Sequence, residues 1–282
     1  MRALLLPYAH LINSACKLQM PISSWPSARQ EAPMTGTTQK TRGGKTVYGA
    51  SVGILMLETQ FPRVPGDIGN ALSWPFPVQY GVVGGATPDN VVRGDPEARL
   101  QDFIDEGQRL VRMGCDGIAT NCGFLVLLQD QLRQALDVPV ATSSLMQAAL
   151  IAATLPPGQH VSILTISSAT LTQAHLDAAR VPQGTPVLGT DPNGAFTQEI
   201  LGDAYEIDFD ACRADLREAA ARLMSDHPKT GAILLECTNM VPYAAAIRAQ
   251  TGVPVYSIHS FVSWFQAGLA PRSFPGDLPD WR

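Results

Sequence analysis

GIATNCGFLVLLQDQL, residues 117–132, decides how the chain is read. An apolar run stops at Thr120, Cys122 follows, and apolar residues then recur at helical spacing. The pattern is a strand that ends at a thiol and hands over to a helix. GAILLECTNMVPYAAAI, residues 231–247, repeats it around Cys237. In both places a Val-Pro-Val run begins sixteen residues past the cysteine, at Val138 and at Val253. Upstream, SVGILMLET (51–59) and HVSILTISS (160–168) also resemble each other. The offset is 115 residues between the cysteine units and 109 between the opening runs, so a short length difference lies between them. Repeated apolar strands alone are weak evidence of duplication. Two cysteines with equal distances to the next strand are better evidence.

Working outward, short apolar runs alternate with amphipathic segments from Val47 onward. The strand candidates are SVGILML, FPVQYGVV, CDGIAT and VPVAT, then HVSILTI, TPVLGT, GAILLE and VPVYSI. Between them lie PEARLQDFIDEGQRLVRM and FDACRADLREAAARLMSD, whose apolar residues recur at three- and four-residue intervals. Alternation of this kind predicts βαβ units and parallel sheets. The expected fold is α/β, with two pseudo-symmetric halves, each a parallel sheet flanked by helices, and an active site in the cleft between them. The first half is expected over 46–145 with a return of 255–282, and the second over 146–254. Ligands of open parallel sheets bind beyond the carboxyl ends of the strands, where both thiols are expected.

Residues 1–45 differ from the rest. MRALLLPYAHLINSACK has a basic start and a short, interrupted apolar stretch; a Ser/Thr/Pro/Gln/Gly-rich run follows. The expectation is a flexible N-terminal extension, and the alternative reading of its start is a secretion signal. Hydrophobic content of 45% with 16% charged residues suits a folded protein with a sizeable core. A net charge of −5 without a Lys/Arg run gives no footprint for nucleic acid, and no apolar stretch has the length of a membrane span. The five cysteines include no CxxC pair and no zinc-like spacing with histidine, so reduced thiols in the cytoplasm fit best.

A cysteine ahead of a helix meets unpaired N–H groups and the positive end of the helix dipole, which favour the thiolate. Two such groups on opposite sides of one small molecule can move a proton through it. One thiolate takes a proton from carbon while the opposing thiol delivers one to the other face. Backbone N–H groups, hydroxyls and amides near a substrate carboxylate would hold the developing charge.

With TNC closing one strand and ECTN closing its counterpart, residues 47–265 resemble the aspartate/glutamate racemase superfamily. That superfamily also contains hydantoin racemases and some lyases and decarboxylases. The resemblance implies catalysis without a cofactor, Cys122 and Cys237 as the two acid/base residues, no metal, and a homodimer or higher homo-oligomer. It also implies substrate contacts from Glu58 and Thr59 at the end of the first strand and from Ser167, Ser168 and Thr170 in the matching loop. Asn121, Gly123, Thr238 and Asn239 beside the thiols complete that set. Three features depart from the amino-acid racemases of this type. Asn239 stands where they often carry His or Glu, Glu236 replaces the small residue before the second cysteine, and FPRVPGDIGNALSWPFPV (61–78) is long and rich in Pro and Gly.

Each residue has a plainer alternative. A strand-end cysteine is often only a small buried hydrophobe, which is how Cys115 and Cys212 are read. Glu58 is either a solvated strand-end charge or a ligand, and Glu236 either pairs with an arginine in the helix layer or acts at the thiol. His259 is read as a hydrogen-bonded core residue ahead of an acid. The 61–78 segment is either a packed loop or a lid, with Trp74 and Phe76 covering the cleft and Arg63 meeting a carboxylate. Lys45 and Lys229 are poor Schiff-base candidates, and no GxGxxG follows a strand. The expected function is racemisation or epimerisation of a small carboxylate compound, such as aspartate or glutamate. The alternatives are a lyase or decarboxylase of the same superfamily and, from another class, a two-lobed binding protein that has no need of paired thiols.

Overall fold

Each of the eight apolar runs forms a strand in the computed structural model, which describes residues 43–274. The first half contains β1 (Val52–Leu57), β2 (Val78–Val83), β3 (Gly117–Thr120) and β4 (Val140–Ala141). The second contains β5 (His160–Thr165), β6 (Val187–Gly189), β7 (Thr230–Leu235) and β8 (Val255–Tyr256). Among the described residues these make two four-stranded parallel sheets, ordered β2-β1-β3-β4 and β6-β5-β7-β8. The orders match strand for strand, which is the pseudo-symmetry expected from the sequence. β1 and β7 are buried along their whole length, as strands covered on both faces must be.

The helices before β5 are α1 (Pro88–Val92), α2 (Leu100–Met113), α3 (Gln129–Ala135) and α4 (Ala148–Thr154), the last packing on β5. Those that follow are α5 (Gln173–Ala178), α6 (Ala195–Leu201), α7 (Phe209–Asp226), α8 (Ala244–Thr251) and α9 (Ile258–Leu269). α2 shows why these segments are helical: Phe103, Gly107 and Leu110 recur on one buried face while acidic and basic residues occupy the other. It stops at Gly114, where φ is +125°, a conformation that glycine reaches without a Cβ clash.

The sequence reading divides the halves at 254/255. Val255 and Tyr256 instead pair with β7, so the second sheet is completed before the chain returns. The return is α9, whose Ile258, Phe261 and Val262 pack with Val52, Ile54 and Ala119 against the first sheet. The extension expected at 1–45 lies outside the described residues up to 42, as do Cys16 and the end of the returning segment, 275–282. Lys45 is described: it donates to the Gly114 carbonyl and pairs with Asp116.

The 58–77 connection between β1 and β2 is ordered by its own bonds. The indole N–H of Trp74 donates to the Ile68 carbonyl (3.2 Å), which also accepts from the Tyr80 hydroxyl (2.9 Å). His259 stacks on Trp74 with ring centroids 5.1 Å apart and lies 3.0 Å from the Ser73 carbonyl. Trp74 and Phe76 therefore face α9 and not the cleft, and His259 is a packed, hydrogen-bonded residue. The far end of this strap reaches the other half. The Gln60 N–H donates to Asp203 Oδ1 (2.8 Å), and Gly66 lies against the backbone of Pro242.

Phe103 has no exposed surface and sits in the core that runs through both halves. Phe103→Ala is expected to lower the unfolding free energy by about 3–5 kcal/mol, read as a shift in the urea midpoint without a change in slope.

Candidate active site

The two cysteines reach one place because each half is built with the same register. The Asn121 N–H donates to the Leu55 carbonyl (3.0 Å), and the Glu236 N–H donates to the Leu164 carbonyl (2.9 Å). These equivalent bonds tie the residue before each cysteine to the central strand of its sheet. Cys122 then precedes the short 3-10 segment Gly123–Leu128, and Cys237 precedes Thr238–Tyr243. The Thr238 hydroxyl donates to the Asn121 carbonyl (2.6 Å), and the Ser144 hydroxyl donates to the Leu235 carbonyl (2.7 Å). Both are buried bonds that cross from one half to the other. They join the two strand ends into one seam.

Cys122 and Cys237 both line a cavity at that seam, beyond the carboxyl ends of β1, β3, β5 and β7. This is the expected location for a ligand in open parallel sheets. Its interior is about 30 Å³, on a scale where one water needs about 10–15 Å³. The walls are largely apolar, with Leu57, Phe61 and Phe124 from the first half and Ile166, Ile200 and Leu201 from the second.

One guanidinium enters this apolar lining. Arg63 donates to Asp67 Oδ1 (2.7 Å) and to the Thr59 hydroxyl (2.9 Å), with its charge 4.5 Å from the centre of the Phe61 ring. Asp67 is buried; its second oxygen accepts from the Asn239 amide (2.7 Å), and Asn239 Oδ1 lies 3.7 Å from the Cys237 sulfur. Thr59, Arg63, Asp67, Asn239 and Cys237 thus form one connected chain from the strap to the second thiol. A guanidinium has five donors, and Asp67 and Thr59 account for two of them here.

The thiols are not ionised by their helix ends. Burial pushes the Cys122 thiol up to about 12, the nearby Glu236 carboxylate adds to this, and the N–H groups of Phe124 and Leu125 and the charge of Arg63 only partly oppose it. Cys237 is raised well above its ordinary value by burial first and Glu236 second. The expectation of helix-favoured thiolates fails because desolvation outweighs a few N–H dipoles from a segment only six residues long. Glu236 is itself raised to about 7 by burial, against the opposing effects of the Thr165 hydroxyl and the Ile166 N–H. Among the described residues it meets no arginine in the helix layer. Its Oε2 accepts from the Thr165 hydroxyl (2.8 Å), and its Oε1 has no hydrogen-bond partner.

Of the residues named from the sequence, Thr59, Asn121, Gly123, Thr238 and Asn239 line the cavity with the two thiols. Asn121 is also structural: its Oδ1 accepts from the Leu57 N–H (2.8 Å). Glu58, Ser167, Ser168 and Thr170 do not line the cavity. Glu58 turns outward and accepts from the Gly85 N–H (2.6 Å), which holds the turn after β2. The Ser167 N–H donates to the Thr165 hydroxyl (3.3 Å), Ser168 packs against Gly189, and the Thr170 hydroxyl is buried without a partner. Sequence reasoning missed Asp67 altogether, because nothing in the order of residues announces that the strap folds back onto Asn239. Cys115 and Cys212 lie elsewhere, and burial raises both thiols, to about 11 and about 12. Among the described residues, no group of three or more His, Cys, Asp or Glu is placed to hold a metal ion. Among them, too, no helix is long and apolar enough to cross a membrane.

Fold and site together define a two-lobed α/β enzyme class with a thiol contributed by each lobe. The family model for Asp/Glu/hydantoin racemases matches residues 95–260, and the chain belongs to that family. Among curated proteins it is similar to dimethylsulfoniopropionate lyase 7 of Emiliania huxleyi, at 29% identity over 82% of this chain and 74% of the relative. Among solved structures it is similar to allantoin racemase from Pseudomonas fluorescens, with a TM-score of 0.50, 18% identity, and coverage of 80% of this chain and 99% of the other. A double mutant of arylmalonate decarboxylase aligns with a TM-score of 0.51 and 20% identity over 80% of this chain and 97% of the other. The structural likenesses are likenesses of fold. The matched family is described as racemases of aspartate, glutamate and hydantoin.

The raised Glu236 value has a consequence for stability. Below its unfolded value of 4.5 the carboxyl is protonated in both states and costs nothing. As pH rises to about 7 the unfolded chain gives up this proton while the folded one keeps it, and stability is lost, by about 3 kcal/mol in full. Above about 7 the loss is complete and constant. The melting temperature of Glu236→Gln minus that of the parent is therefore expected to grow from pH 4.5 to 7 and then level off, measured by calorimetry. An equal difference at pH 5 and pH 8 would show that the carboxyl is not held in this way.

Proposed function

We propose that the protein removes the proton from the carbon next to the carboxylate of a small substrate, using Cys122 and Cys237 as the acid/base pair and Arg63 as the carboxylate anchor. The observation that carries this reading is the convergence of both thiols and one guanidinium on a single small, apolar cavity. Acid–base work at carbon needs groups within reach of both the reacting C–H and the charge that develops beside it. Desolvated thiols do not compete with water for their protons until a substrate is enclosed.

Elimination is the outcome we favour. One thiolate takes the α proton, the electrons of the broken C–H bond form a carbon–carbon double bond, and a leaving group on the next carbon departs with its bonding pair. Two features support it. The relatives found among curated proteins carry dimethylsulfoniopropionate lyase in their names. The cavity lining also includes one cationic side chain, which suits a monocarboxylate better than aspartate or glutamate with two carboxylates each. Racemisation is the second reading, favoured by the thiol pair itself, because a one-sided elimination needs only one base. Within either reading the enzyme works without a cofactor, in the cytoplasm, as a homodimer or higher homo-oligomer.

The test is incubation in deuterated water with dimethylsulfoniopropionate and with each enantiomer of aspartate and glutamate. Dimethyl sulfide is read by gas chromatography, and deuterium at the α carbon by NMR. Sulfide release with no change in the amino acids is the expected result. Inversion of an amino acid without elimination would favour the racemase, and the absence of exchange or release in any of them would count against the proposal. Arg63→Met is expected to raise KM for the active compound by about 10–100-fold, the loss of one charge-assisted hydrogen-bond partner.

A further inference from the structure

Starting the chemistry poses a problem, because burial keeps both thiols protonated and one of them must lose a proton before it can take one from carbon. The ionisable side chains that line the cavity are Arg63, Cys122, Glu236 and Cys237. Arg63 is a permanent cation and cannot accept a proton. Among the described residues that line the cavity, this leaves Glu236 as the internal acceptor.

The pseudo-symmetry pairs Glu236 with Asn121, each standing immediately before its cysteine. Asn121 uses its side-chain oxygen to accept the Leu57 N–H, which closes the end of β1. Glu236 serves the end of β5 in the same way, through the Thr165 hydroxyl and the Ile166 N–H. An amide is sufficient for that task in the first half. In the second half a carboxylate does it with one oxygen, and the other is left fully buried and unpartnered. That Oε1 lies against Gly123, beside Cys122, so closely that a Cβ at residue 123 would collide with it. Gly123 is therefore the residue that lets the carboxylate approach. The groups facing Glu236 are Cys122 and Thr165 from neighbouring strand ends and Cys237 on its own, with Arg63 and its partner Asp67 from the strap acting on the thiols.

We propose that Glu236 is a third proton-transfer group of the site, taking the Cys122 proton onto Oε1 and leaving the thiolate that attacks the substrate C–H. The S–H bond breaks, an O–H bond forms on the carboxylate, and the sulfur keeps the electron pair. The transfer also removes the negative charge that opposes ionisation of that thiol. After Cys122 has taken the substrate proton, the carboxyl releases its own to water as the product leaves, or returns it to a thiolate formed at Cys237. This step rests on the function proposed above, so its test begins with a reaction that needs no substrate.

The measurement is the rate of Cys122 alkylation by iodoacetamide from pH 5 to 9, followed by peptide mass spectrometry. An internal base predicts a rate that climbs through about pH 7, as Glu236 ionises, and a Glu236→Gln variant that has lost this limb and reacts roughly a hundredfold more slowly at pH 8. A carboxylate that merely repels the thiolate predicts the opposite: the glutamine variant reacts as fast as the parent or faster. That result would overturn the proposal. The parent's own profile decides the matter even if the variant fails to fold: a rate that levels off above about pH 7 is expected, and one that keeps rising tenfold per pH unit up to 9 overturns the proposal. With a compound the parent turns over, Glu236→Gln should also lower kcat about a hundredfold and leave KM nearly unchanged. Normal alkylation behaviour with no turnover of any compound would refute the proposed function and leave the proton transfer standing.

Discussion

Two sulfurs and a carboxylate removed from water at one seam govern this protein. Burial makes each of them hold its proton more tightly than it would in solvent, and they oppose one another's ionisation. The rest of the site is arranged around that cost. Gly123 admits the carboxylate, the Thr165 hydroxyl holds one of its oxygens, and Arg63 brings a positive charge on a strap that its pairing with Asp67 keeps in place. A desolvated acid–base group has little reactivity until a substrate or a partner changes its surroundings, which suits a site that must not exchange protons idly with water.

The duplicated architecture supplies this seam directly. Each half presents its central strands side by side, and the residue before each cysteine is bonded to the first strand of its own sheet at an equivalent carbonyl, Leu55 or Leu164. The bonds that cross the seam, from Thr238 to Asn121 and from Ser144 to Leu235, are buried and short. Symmetry brings the thiols together. The departures from symmetry are the strap on one side and Glu236 in place of an asparagine on the other.

Much of this was legible in the order of residues. The central strands announced themselves because parallel strands buried on both faces must be apolar, and VGILML and, after Thr230, GAILL are. The thiol pair was legible because strand-to-helix junctions fix where a residue stands along the chain. What a side chain does there was less visible. Glu58 and Thr59 are neighbours at one strand end, yet Thr59 lines the cavity while Glu58 turns out to the Gly85 N–H. Alternation across a strand makes that divergence natural, but the phase is set by the turn that follows. Asp67 escaped notice because its partner Asn239 is 172 residues away, on the other half. The protonation of the thiols was misjudged for a related reason. A helix end is visible in sequence, whereas the depth of burial that outweighs it comes only from the assembled core.

The central claim is that Cys122 and Cys237 serve opposite faces of one carbon. It is tested most directly by giving Cys122→Ser and Cys237→Ser a substrate labelled stereospecifically with deuterium at the α carbon and following loss of label by NMR. A serine hydroxyl fits the space but is far too weak an acid and base near neutrality to replace the thiol. The account predicts opposite-handed losses: each variant still removes the hydrogen that faces its remaining cysteine and leaves the other in place. Loss of the same hand in both variants, or removal of both hands by either one, would contradict it.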